Sequence, residues 1–75
     1  MNLNDKATLK AAIENGTPCY YQCGFSYKGA SKHPITKEKA LEYLPKYSPG
    51  LGFYELREDK EGNIIFNEYT ENDLY

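Results

Sequence analysis

Phe53-Tyr54-Glu55-Leu56-Arg57-Glu58-Asp59-Lys60-Glu61-Gly62-Asn63-Ile64-Ile65-Phe66-Asn67-Glu68-Tyr69 is the stretch on which the fold turns. Residues 53–58 and 63–69 each read as a strand, and the polar run between them reads as a tight turn. A three-residue loop, 60–62, with Gly62 in the left-handed conformation is a common hairpin connection. It pairs Leu56 with Phe66 and Glu58 with Ile64, so that Tyr54, Leu56, Ile64 and Phe66 share one face. Moving the register by one residue sets Leu56 opposite Ile65 and divides the apolar set between faces. The first register is therefore the expected one.

Working back from the hairpin, residues 48–52 (Ser-Pro-Gly-Leu-Gly) form a turn, and a helix is expected before it from Thr36 to Leu44 or Tyr47. Thr36 suits its N-cap, and Ala40, Leu41 and Leu44 make its inward stripe, with Tyr43 and Tyr47 extending it. Pro45 lacks a backbone donor and halts or kinks that helix. Residues 26–34 read as a loop punctuated by Gly29 and Pro34. Between Cys19 and Tyr27 the spacing becomes two, which predicts a strand with Cys19, Tyr21, Cys23, Phe25 and Tyr27 facing the core. Gly24, on its other side, marks a bulge or a close backbone approach. Residues 3–16 read as a helix capped by Asn4 or Asp5, with Leu9, Ala12 and Ile13 inward and Gly16 and Pro18 ending it.

The order is thus α-β-α-β-β: an α+β fold with a three-stranded sheet ending in a β-hairpin and two helices on one face. If the first two strands are neighbours, the connection through the second helix is a right-handed parallel crossover. One domain, residues 1–75, is expected, with 3–69 structured and 70–75 a loose acidic tail.

Composition limits the function classes. A chain of 75 residues hides only about 60% of the surface exposed by its unfolded form, so a deep catalytic cavity is hard to build. Charged residues make up 27% and aromatics 15%, with eight tyrosines and no tryptophan, which is not a disordered composition. No apolar run approaches the roughly 20 residues of a membrane span. The beginning of the chain has no basic-then-apolar leader pattern, which gives a cytoplasmic expectation and no membrane partner.

Cys19 and Cys23 with His33 invite a zinc or thiol-nucleophile reading. On an extended strand four residues span about 13 Å, too far for one metal or one disulfide. Both thiols are expected inward and unreactive, so no catalytic residue, metal or cofactor is assigned. Non-catalytic function is the expectation.

Two surfaces remain. Lys28, Ser31, Lys32 and His33 lie in a flexible loop before a helix N-terminus, a setting that favours an anion. On the sheet face away from the helices, Tyr20, Phe53, Arg57, Ile65 and Tyr69 combine aromatic area with polar neighbours, as protein interfaces do. Residues 1–47 carry seven lysines against four acids, whereas 48–75 carry two basic residues against seven acids. The hairpin glutamates would repel phosphate. These features favour a protein-binding or adaptor module using the aromatic sheet face, the acidic hairpin or both. The alternatives are a single-stranded nucleic-acid binder using Tyr20, Tyr27 and the 28–32 loop, or an acidic mimic of nucleic acid. An apolar patch with a polar rim marks the first, a continuous basic surface the second, and carboxylates at phosphate-like spacing the third.

Overall fold

Asp5 places its carboxylate under the amide of Thr8 (3.2 Å), and helix α1 (Lys6–Glu14) begins there. Thr36 does the same for α2 (Lys37–Tyr43), its hydroxyl accepting from the amide of Lys39 at 3.1 Å. Thr36 is the cap expected from the sequence and Asp5 one of the two candidates for α1, each satisfying a donor that the helix itself leaves unpaired. The computed structural model describes residues 2–50 and 52–74, without the side chains of Ser26 and Leu74. Leu51 of the expected turn and Tyr75 of the expected tail lie outside the described residues.

The fold is a small α+β arrangement in which a mixed four-stranded sheet replaces the expected three strands. Its strands are β1 (Cys19–Cys23), β2 (His33–Ile35), β3 (Tyr54–Glu58) and β4 (Ile64–Glu68), in the order β2-β1-β4-β3. The β3–β4 hairpin has the expected register, with Leu56 opposite Phe66 and Glu58 opposite Ile64. Gly62 takes φ +82° in the turn, where a side chain would be strained.

The first two long strands, whose adjacency the sequence left conditional, are not neighbours. β1 lies parallel to β4, with Cys19 opposite Ile64 and Cys23 opposite Glu68, so the second hairpin strand is central. On its other side β1 pairs antiparallel with β2, which arises from residues expected as loop. The first strand is also shorter than expected. Gly24 turns the chain out at φ +97°, its amide still donating to the carbonyl of Glu68 at 2.8 Å. A Cβ there would lie 3.5 Å from Asp73 and 3.6 Å from Ala30, in ordinary contact. The positive φ, rather than lack of space, is what selects glycine.

The core lies between the sheet and α1 and α2. Leu9 and Ile13 of α1 and Ala40 and Leu44 of α2 close over Cys19, Leu56, Ile64 and Phe66. Tyr47 fills the remaining space, its ring edge-on to Phe66 with centroids 5.2 Å apart. Both outer sheet edges are blunted. Pro34 brings no N–H to β2, and Ser48 bridges β3 through bonds to Tyr54 and Leu56 of 3.2 and 2.8 Å. Expected as a loose tail, Glu71–Leu74 instead form a helical turn, α3. Asp73 caps it, accepting from the Thr70 amide (2.8 Å) and hydroxyl (3.0 Å).

Candidate functional site

The register sets Tyr20, Ile65 and Arg57 side by side on the sheet face away from α1 and α2, and just beyond β3 and β4 the Tyr69 amide donates to the carbonyl of Phe53 at 2.8 Å. Their exposure is not the expected one. Ile65 is only 6% exposed and Tyr69 3%, so neither belongs to an open platform. Beyond Gly24 the chain folds back, bringing Phe25 against Tyr69 with centroids 4.5 Å apart. The Tyr69 hydroxyl donates to Glu55 at 2.6 Å. Burial pushes that phenol up to about 12, with the bond to Glu55 adding to it. Tyr20 is half-buried under the Lys32 ammonium, which sits 4.6 Å from the ring centre. Phe53, at 43%, and Arg57 are the exposed members of the set. Strand alternation places a side chain on a face correctly, but a returning loop decides whether that face is wet.

The loop cations do not converge on one anion cradle either. Lys32 reaches the hairpin turn, where it pairs with Asp59 at 3.0 Å. Lys28 lies toward the other end of β1, 5.5 Å from the Phe25 ring centre and 5.9 Å from that of Tyr27. Ser31 is exposed, and His33 is an exposed residue of β2 beside Tyr21. What the structure does bring together comes from both predicted sets. Lys32, Arg57 and Ile65 border one open cleft of about 400 Å³ with Gln22, Ala30 and Lys60.

The apolar concavity lies elsewhere, between α1 and α2. A groove of about 390 Å³ is lined by Ala7 and Lys10 of α1 and by Leu41, Leu44 and Pro45 at α2, with Lys6 at its edge. Helical geometry explains it. Leu9 and Ile13 take the inward stripe of α1, which leaves Ala7 on the flank facing α2. A methyl group opposite Leu41 fills little of the space between two helices, so a trough remains. Lys6 anchors one end: its ammonium donates to the carbonyls of Leu44 (2.5 Å) and Tyr47. The first is the carbonyl of the α2 C-cap, which the helix leaves without a partner, and the second lies in the turn beyond it. Desolvation lowers the Lys6 pKa, and Lys10 remains exposed on the rim. Sequence reasoning missed this site. Its signal was Ala7, outside the inward stripe of α1, opposite Leu41, which was assigned inward; the pair gains meaning only once the two helices are known to be adjacent.

The thiols part company. Cys19 is buried, donates to the carbonyl of Thr17 at 3.4 Å, and is pushed up to about 11 by burial. Cys23 is exposed, which corrects the inward orientation expected for both. It falls on the helix side of β1, but at the end of the strand where the helices give it no cover. Among the described residues no group of three or more His, Cys, Asp or Glu is arranged to hold a metal ion, and no helix is long and apolar enough to cross a membrane. No protein-family model, curated protein or solved structure matches the chain.

Proposed function

We propose that this chain is a non-catalytic protein-binding module whose docking surface is the α1–α2 groove. The observation that carries this reading is an apolar floor of Ala7, Leu41, Leu44 and Pro45 with lysines at its edge. Apolar centre and polar rim are the anatomy of a protein interface. The volume falls within the roughly 300–1,000 Å³ of ligand pockets, enough to seat apolar anchors. Lys10 on the rim selects a partner with a carboxylate beside those anchors, and the helix-in-groove mode supplies the form: an acidic amphipathic helix. The blunted sheet edges weigh against a partner that extends the sheet.

The rivals have less support. Nucleic acid needs a continuous basic surface, whereas Lys32 is paired with Asp59. Asp73 is held low by its bonds from Thr70, with the charge of Lys28 contributing further. An acidic mimic needs outward carboxylates, and those of Glu55, Asp59 and Asp73 are engaged internally. Catalysis through Cys19 is opposed by a buried thiol with a raised pKa.

Ala7→Glu makes a clean test. Ala7 is exposed in the first turn of α1, where an acidic residue is favoured by about 0.3–1 kcal/mol. Folding should therefore survive while the groove acquires a repelling charge. Peptides selected by display on the wild type should carry apolar residues at helical spacing with acidic neighbours. They should bind Ala7→Glu at least about tenfold more weakly, or 1.4 kcal/mol. Selected peptides that lack this pattern, or that bind both proteins equally, would remove the groove from consideration.

A further inference from the structure

The cleft on the opposite face has a different chemistry. Its floor is apolar, made of Ile65 and Ala30, and its walls carry Arg57, Lys32 and Lys60. Arg57 is set in place by the sheet. Its Nη1 donates to the Asn67 side-chain oxygen at 3.3 Å, and its Nε lies 4.0 Å from Glu55. Asn67 is itself fully buried and fixed by donating to the carbonyls of Gln22 (3.3 Å) and Gly24 (3.0 Å). A guanidinium has five N–H donors in a rigid fork, and the side chain of Arg57 is 43% exposed. It is a positioned donor at the wall of a cleft.

Two acids also border the cleft, and bonds within the hairpin fix the position of one of them, Asp59. Glu58 belongs by register to the other face of β3, its Oε2 lying 3.6 Å from where a Gly62 Cβ would be. Asp59 accepts from the amides of Glu61 (2.9 Å) and Asn63 (2.8 Å) and from the Asn63 side chain (3.1 Å). These three bonds reach both its oxygens, in addition to the one from Lys32. Lys32, with three N–H donors and a side chain 40% exposed, has donors to offer a ligand beside the one it gives Asp59.

We infer that this cleft binds a carboxylate, with the apolar stem of the ligand on Ile65 and Ala30 and the carboxylate between Arg57 and Lys32. Paired N–H donors of a guanidinium match the two oxygens of a carboxylate, which is the reason for choosing this class. The site is separate from the α1–α2 groove and stands or falls apart from it.

Titration of the isotopically labelled protein with sodium glutarate, followed by amide chemical shifts, tests the inference. Saturable shifts at Gln22, Ala30, Lys32, Arg57 and Ile65 are expected, beyond those from sodium chloride at equal ionic strength. N-acetylglutamate N-methylamide as a second probe separates the sources. Equal affinity points to an acidic side chain of a peptide, and a preference for glutarate points to a free dicarboxylic acid. Arg57→Gln should weaken either probe at least about tenfold. Lys32→Gln, in a loop, gives the same reading if Arg57→Gln does not fold. Shifts matched by chloride, equal binding of inorganic phosphate, or binding unchanged in the folded variants would overturn the proposal.

Discussion

Asp59 shows how much one side chain organises here. Desolvation raises its carboxyl, but the Asn63 amide, Lys32, the Asn63 side chain and the Glu61 amide outweigh this and hold it at about 2. A folded value below the unfolded 3.8 means that ionised Asp59 stabilises the fold above about pH 4. That contribution fades as pH falls through about 2. Urea unfolding measured between these limits should show falling stability, and Asp59→Ala should flatten the slope. An equally steep acid limb in the variant would assign it to other carboxylates. At Cys23 and Cys19 the expectation is unequal reactivity: native-state alkylation should label one thiol, Cys23, and denaturation should release the second. Capping at Asp5 and Thr36 was legible in sequence because a cap is a contact over three residues. The exposure of Cys23 was not, because it depends on where two helices run out above the strand.

Among elements, the hairpin was readable for a definite reason. Its turn, its apolar alternation and its register all lie within seventeen consecutive residues, and they agree. β2 escaped because three residues containing a proline carry no periodic signal, and pairing with β1 alone makes them a strand. The central place of β4 escaped as well, although its burial hinted at it. Ile64, Ile65, Phe66 and Asn67 are all buried, a run covered on both faces rather than an alternating one. Asn67 is the informative member, since it ties the end of β1 to β4 from within the covered layer. Asn67→Ala leaves buried carbonyls without that donor and should cost about 1–3 kcal/mol in denaturant unfolding. Phe66→Ala, which opens a cavity against Tyr43 and Tyr47, should cost about 3–5 kcal/mol. Wild-type-like unfolding of either variant would contradict the packing described.

For the molecule as a whole, the tyrosines set the alkaline limit. Burial raises Cys19 to about 11 and Tyr21 to about 12, Glu68 adding to the latter; Tyr69 reaches about 12, and Tyr47 is also raised. Groups raised on folding stabilise fully below their unfolded values, 9.0 for the thiol and 10.0 for the phenols. Stability should therefore hold to about pH 9 and fall through 11 to 12. Phenolate absorbance from Tyr21, Tyr47 and Tyr69 should appear together with loss of circular dichroism, and its appearance in a protein still folded would contradict their burial. The α1–α2 groove belongs to this scale too, because no single segment contains it. The same is true of the parallel pairing of β1 with β4, and it bears on how the protein is made. Strands 45 residues apart must meet before the sheet has a middle. Contacts of such sequence separation form slowly, because loop closure comes before any gain from pairing. At about 5–20 residues per second β4 is synthesised seconds after β1, and the inner edge of β1 has no partner in the sheet until it arrives. Until β4 pairs, that edge is a template for any other extended strand, and the wait for β4 is a window for pairing with a second chain.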